Sequence, residues 1–330
     1  MSSVVPRQKK QDVVELVLVC VAITPPGPLS ALAYFPDGRR VVTGSRNGAV
    51  MIWNAGNGQA EGKLPLNDVF SLAVTRDGKI VCSSKEGNVK VWDIRSNEIV
   101  KKWAHPDSHP RISLSPDDRF VAVGSEIGWV FIHSIEGRQV KQAIEHGACV
   151  RSMSFSPTGN KLACGTPNGN ILVYDVGAGT FVLPLWTGHK AGICSLLWSR
   201  DGSRLFSGSY DKTIRCWNVE TGEQIGRPWT GHTAPILSLS LYPDGSILAS
   251  GSSDKTIRFW NAASGDSLGR YEEDVWTICF SPSGEFISSA TKEGKICFWR
   301  VPQFTTLDSP VSAHPLHCIT RAHSLLFTFS

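Results

Sequence analysis

Short runs of alternating apolar and polar residues, separated by turn-forming clusters, fill most of this chain. Residues 188 to 221 show the unit clearly. Ile193 to Trp198 alternates, and Ser199-Arg200-Asp201-Gly202 makes a turn. Leu205 to Ser209 is a second run, Asp211-Lys212 a tight turn, and Thr213 to Trp217 a third run. The link from Val219 to Thr230 has room for a fourth. Each run is short, rich in β-branched or aromatic residues and bounded by turn residues, so each predicts a β-strand. Helical spacing of apolar residues is almost absent.

The unit recurs. Trp53, Trp92, His133, Tyr174, Trp217, Trp260 and Trp299 fall at steps of 39, 41, 41, 43, 43 and 39 residues. A second ruler runs in phase with the first: Gly38, Gly78, Asp118, Gly159, Gly202, Gly245 and Gly284 close seven turns. Seven copies of a unit of about forty residues, each offering up to four antiparallel strands, predict an all-β propeller.

Two copies carry a more specific signature. Gly188-His189, Ser207, Asp211 and Trp217-Asn218 resemble the WD40 repeat, as do Gly231-His232, Ser250, Asp254 and Trp260-Asn261. The resemblance covers about residues 13 to 300 and implies a seven-bladed WD40-type β-propeller with four antiparallel strands per blade. It implies that His189, Ser207, Asp211 and Trp217 form a buried hydrogen-bonded chain, and that His232, Ser250, Asp254 and Trp260 form another. It also implies that an N-terminal strand completes the last blade, a role that fits Val13 to Ile23. Residues 1–12 are then a flexible N-terminus and 301–330 a poorly ordered or loosely packed tail.

The other copies depart from the signature. Unit four keeps His146 but has Tyr174, Asn168 and Cys164 in the remaining slots. Unit one has Asn47 and Thr43 without a histidine. Units two and seven place Glu86 and Glu293 in the acidic slot. Unit three is furthest from the pattern, with Ile127 and His133, and is expected to be the least stable blade.

Composition narrows the function class. Among 330 residues, 41% are hydrophobic and 19% charged, which suits a soluble globular protein. The net charge of +4, without a long basic run, argues against nucleic acid. No apolar run reaches the length of a membrane helix. Nine cysteines without a CxxC, set mostly in strand-like runs, suggest reduced core thiols and an intracellular location, cytoplasmic or nuclear. Arg7, Lys9 and Lys10 precede the apolar run at Val13, as in a secretory signal. Glu15 and the lack of a small-x-small cleavage site favour the strand reading.

Catalysis finds little support. His189, Asp211 and Ser207 match a hydrolase triad in composition, but the set recurs one unit later at identical spacing, as scaffold does. No non-repeated acid, base or nucleophile set stands out, so no enzyme activity, cofactor or metal is expected. His314, His317, Cys318 and His323 lack the partner spacing of a metal site.

A non-enzymatic scaffold for protein or peptide partners is therefore expected, monomeric alone and working within a complex. In related propellers the face bearing the loops before strand one and between strands two and three makes most contacts. On that face the resemblance places Arg46, Lys85, Tyr210 and Lys292 in one slot, and Phe70, Arg151 and Trp276 in another. Trp276, Phe70, Arg46, Lys85 and Lys292 come from neighbouring units seven, one and two and would suit a peptide with acidic residues around an apolar anchor. Trp92-Asp93-Ile94-Arg95 resembles the WDxR box of substrate receptors for cullin-type ubiquitin ligases, with Asp93 and Arg95 offered to an adaptor on the opposite face.

Overall fold

The turns of the second ruler all close alike. The backbone N–H of Gly38, Gly78, Asp118, Gly159, Gly202, Gly245 and Gly284 donates to the carbonyl three residues earlier, at 2.8 to 3.0 Å. All seven closing residues have positive φ, from 58° at Asp118 to 87° at Gly78, a region open to glycine and tolerated by aspartate. Each turn reverses the chain between the first and second strands of a sheet.

The computed structural model describes residues 16–301, apart from 25–28, 47–48, 67, 106–107, 141–143, 146–147 and 183–184. Asn47, His146, the segment 1–12 and residues 302–330 lie outside the described residues. Among those described, no helix is long and apolar enough to cross a membrane.

The strands form seven four-stranded antiparallel sheets, the blades of a seven-bladed β-propeller. Blade five runs Ile193–Trp198, Arg204–Ser209, Ile214–Asn218 and Gln224–Trp229, so the link after Val219 does hold a fourth strand. Blade seven supplies three strands from the C-terminal side, Thr277–Phe280, Phe286–Ala290 and Lys295–Arg300. Its fourth is the N-terminal strand Val17–Ile23, paired antiparallel from Val17 opposite Arg300 to Ile23 opposite Lys295.

The core lies between blades rather than within them, because each sheet is only one layer thick and must bury both faces. Seven apolar clusters occupy the seven blade junctions. Val42 and Ile52 of blade one meet Leu72 and Trp92 of blade two. Phe206 and Cys216 of blade five meet Leu239 and Trp260 of blade six. The closing junction joins Phe286, Ile296 and Phe298 of blade seven to Leu32, Tyr34 and Trp53 of blade one, with Ala22 of the N-terminal strand among them. The cysteines at 20, 82, 149, 164, 194, 216, 279 and 297 are free, and all except Cys20 and Cys149 are buried. Cys318 lies outside the described residues.

Blade three differs in the way its sequence suggests. Its outer strand, Ile144–Glu145, pairs at two positions, whereas Glu98–Ala104 in blade two pairs at six. His133, in the tryptophan slot, is buried beside Trp103 and Phe131, and burial disfavours its charged form. Ile127, in the acidic slot, is 67% exposed. Hydrogen exchange should therefore show weaker protection in Phe120–Gly124 and Trp129–Ser134 than in Arg204–Ser209 and Ile214–Asn218. Equal protection in the two blades would contradict this ranking.

Candidate functional site

The tetrads are built as expected and are structural. In blade five Trp217 Nε1–H donates to Ser207 Oγ at 2.8 Å, and Ser207 Oγ bonds His189 Nε2 at 2.7 Å. His189 Nδ1 lies 2.8 Å from Asp211 Oδ2. In blade six the same bonds, Trp260 to Ser250 to His232 to Asp254, measure 2.8, 2.7 and 2.8 Å. Burial holds His232 below its ordinary pKa despite Asp254, so the ring is neutral. Nδ1–H therefore donates to Asp254, and Nε2 accepts from the Ser250 hydroxyl. Ser207 and Ser250 are fully buried and occupied, so neither can act as a nucleophile.

These two blades also tolerate an unusual backbone. At the hairpin between their second and third strands, Lys212 and Lys255 have φ of 72° and 61°, where Gly87, Gly128, Gly169 and Gly294 stand in other blades. Asp211 Oδ1 accepts the Thr213 N–H at 3.0 Å, and Asp254 Oδ1 the Thr256 N–H at 3.0 Å, which holds each hairpin.

Residues proposed for partner contact fall into three cation–aromatic groups on the loop face. The Arg46 and Arg111 guanidinium carbons lie 5.3 and 5.0 Å from the centre of the Phe70 ring. His109 meets the same ring edge-on at 5.1 Å. Arg151 lies 5.2 Å from the Tyr210 ring, and the Lys292 ammonium 5.9 Å from the Trp276 ring. Tyr210 and Trp276, both half-buried, pack with buried Cys194 and Leu237 as one small apolar cluster across blades five, six and seven. Lys85 is exposed in the loop beside Asp68 and His109.

This grouping differs from the sequence expectation in two respects. Phe70 is not a surface anchor; it is 2% exposed, sunk beneath the two guanidinium groups that it seats. Trp276 packs against the cluster of Cys194 and Leu237, where Tyr210 also packs, rather than on Phe70. The expectation also misses Arg111 and His109. Asp68 and His109 precede the inner strands of blades two and three with φ of 56° and 55°, a left-handed geometry that costs about 1 kcal/mol outside glycine.

The electrostatics around Phe70 are positive. Arg111 is 6% exposed, and burial pushes its pKa down to about 10; Cys149 and Glu126 favour its charged form, and Arg46 and Arg151 disfavour it. Arg46 is likewise lowered by burial and supported by Glu126.

On the opposite face Asp93 Oδ1 accepts the Arg95 N–H at 2.8 Å, and the Arg95 side chain is exposed. Asn54, Asp175, Asn218 and Asn261 cap their own turns in the same way. Asp93 therefore holds its own turn, a local backbone task. Among the described residues, no group of three or more His, Cys, Asp or Glu could hold a metal ion.

Comparison with known proteins places these features in a family. The family model described as nucleolar protein 10-like, N-terminal domain, matches residues 26–244, and the WD domain, G-beta repeat, matches residues 265–300. The chain is 27% identical over 147 residues to WD repeat-containing protein SL1-17 of Schistosoma mansoni, covering 42% of this chain and 49% of that protein. It is 28% identical over 152 residues to protein groucho of Drosophila melanogaster, covering 44% and 21%. It is 29% identical over 174 residues to eukaryotic translation initiation factor 3 subunit I of Debaryomyces hansenii, covering 47% and 50%. The aligned stretch spans at most half the length of each of these three relatives.

Proposed function

The chain belongs to the family of nucleolar protein 10-like N-terminal domains, and from that premise we propose a non-enzymatic interaction scaffold that receives a protein partner on its loop face. The observation that carries this reading is the loop-face constellation itself. Half-buried Tyr210 and Trp276, from blades five and seven, pack against one small cluster there, each beside a cation, with Arg46 and Arg111 seated on Phe70. Half-buried aromatic and arginine side chains on a rigid frame are the usual anchors of a protein interface. The partner would combine an apolar anchor, seated near Trp276 and Tyr210, with acidic groups facing Arg46, Lys85 and Lys292.

A multiprotein setting is consistent with the relatives, one of which is named as a subunit of a translation initiation factor. The nucleolar name of the matched family supports a nuclear location for this chain. The triad-like residues support no enzymatic reading, since they are buried and duplicated.

The double substitution Trp276→Ala with Arg46→Ala should abolish recovery of the partner in affinity purification from cells. Losing a half-buried indole should cost about 1–2 kcal/mol and lower the melting temperature by a few degrees. Arg95→Glu, on the opposite face, should leave recovery unchanged. If the double variant retains the same partners while Arg95→Glu loses them, the loop-face reading is wrong.

A further inference from the structure

Blade six departs from its sister blade five in one contact. In blade five Arg215 Nη1–H donates to Gln224 Oε1, the side chain of the residue paired with the tetrad tryptophan Trp217. In blade six the residue paired with Trp260 is Ser267. The two arginines are otherwise placed alike. A side chain begun at Gly188 or at Gly231 would lie 2.9 Å from Nη1 of Arg215 or of Arg258, respectively. In both, Nε is buried without a hydrogen-bond partner. Among the described residues, no acceptor replaces Gln224 at Arg258. One guanidinium is thus held from within its blade, and its counterpart has the same seat without the acceptor.

The junction beside Arg258 is open. Trp229 and Tyr271 stand at matching positions on the outer strands, opposite Ile214 and Ile257. Ile236 and Val275 match in turn, each against the glycine of the preceding blade, Gly208 and Gly251. From Trp229 the chain takes seven residues to reach Ile236, through Gly231-His232, but from Tyr271 only four to reach Val275. At this shorter connection lies a cavity of about 580 Å³, whose lining includes Lys255, Arg258, Arg270, Glu272, Asp274 and Lys295. Arg258 stands directly opposite Arg270, and Thr256, two residues along the same face, opposite Glu272. Facing like charges repel. Arg270 reaches Glu272 at 3.9 Å with both side chains exposed, a pairing that contributes little. Asp254 is engaged with His232 and Thr256, and Glu273 with Lys295 at 2.8 Å.

We propose that this cleft takes an extended segment of the protein partner that bears an acidic residue and, two positions along, a basic one, an inference that rests on the loop-face reading above. The carboxylate sits between Arg258 and Arg270. There it supplies the acceptor that Gln224 supplies in blade five, and it relieves the facing of two guanidinium groups. The cation meets Glu272. The spacing follows from the sheet: positions two residues apart on one face are about 7 Å apart, and alternate side chains of an extended peptide repeat at the same distance. A run of acidic residues fits less well, because Glu272 and Asp274 line the same cavity. The cleft adjoins the apolar cluster through the chain itself, since Asp274 leads directly into Val275 and Trp276.

Fluorescence anisotropy with the full chain tests the cleft. The probes are peptide pools with a fixed Glu-x-Lys core in degenerate flanks, and matched pools in which Gln replaces either the Glu or the Lys, at about 0.15 M salt. The Glu-x-Lys pool should bind about tenfold more tightly than the Gln-x-Lys pool, and more tightly than the Glu-x-Gln pool by a smaller factor. Arg258→Gln should erase the preference for Glu. Ser267→Gln removes no charge; it supplies the internal acceptor of blade five, and should also erase the preference with the melting temperature equal or higher. Arg215→Gln, at the filled position of blade five, should keep it. Equal binding of the Glu-x-Lys and Gln-x-Lys pools by the unaltered chain would overturn the proposal. So would a preference that survives in both Arg258→Gln and Ser267→Gln. If the Trp276 and Arg46 double variant loses its cellular partner while the pools bind the unaltered chain alike, the cleft is struck and the loop-face reading stands.

Discussion

Removing residues 1–23 should leave a chain that no longer folds as a cooperative monomer. The N-terminal strand pairs with Lys295–Arg300 at six positions, with a bulge at Val19, and Thr24 N–H, just beyond it, bonds the Gly294 carbonyl at 3.0 Å. Its buried Ala22 belongs to the junction between blades seven and one. Cys20 packs against the Gly58 turn of blade one, within 3.1 Å of where a side chain there would begin. Leu16 N–H reaches the Tyr271 hydroxyl of blade six at 2.6 Å. One strand thus fastens three consecutive blades. At about 1 kcal/mol net for each backbone hydrogen bond, the pairing alone contributes on the order of 5 kcal/mol. That is comparable to the whole stability of many domains. The deletion also leaves Lys295–Arg300 as an open edge able to pair with another chain. Light scattering and thermal melts followed by circular dichroism should show aggregation and no sharp transition. A truncated protein that stayed monomeric with an unchanged melting temperature would refute this. Ala22→Asp, which places a charge in the closing junction, should weaken the fold in the same direction.

The second large effect concerns the serine at the centre of each tetrad. Ser207→Ala should cost about 3 kcal/mol in denaturant unfolding, and Ser250→Ala a similar amount, because two buried ring nitrogens lose their partner at once. Thr43→Val in blade one removes a single bond, from Trp53 Nε1–H at 2.9 Å, and should cost about 1 kcal/mol. A Ser207→Ala variant no worse than Thr43→Val would mean that the chain does not act as a unit. The tetrads also set a pH dependence. Asp211 and Asp254 are held below the usual carboxylate range: burial opposes ionisation, and their hydrogen bonds outweigh it. Burial holds His232 low as well. All three bind fewer protons folded than unfolded. Their stabilisation is present at neutral pH and is lost as the pH falls, first below about 6.5 for the histidine and then below about 4 for the carboxylates. Stability that stayed flat from pH 7 to pH 4 would contradict this assignment.

Much of the fold was legible in the residues because it is local. A strand, its tight turn and the next strand lie within twenty residues, and each tetrad spans 28, from His189 to Trp217 and from His232 to Trp260. Side-chain alternation and the turn rulers report such short-range geometry directly. The loss of strength in blade three was also legible, since Ile127 and His133 cannot supply the missing bonds. The slot of Phe70 borders the loop face and so predicts an exposed ring, yet two guanidinium groups cover it. Arg111 stands within the inner strand, opposite Gly124, outside the slots that border the loop face.

By itself, then, the sequence determined the number of blades, their strands, the complete tetrads of blades five and six, and the candidate strand that closes the ring. These follow from periodicity and from contacts between near neighbours along the chain. Only the tertiary structure decided which loop residues meet. Arg46, Phe70, Arg111, Arg151 and Tyr210 come from five blades, and their contacts exist because the ring closes and each inner strand turns its loop end to the same face. No spacing along the chain reports that an arginine in one blade will rest on an aromatic ring of the next, since that depends on blade-to-blade packing and side-chain direction.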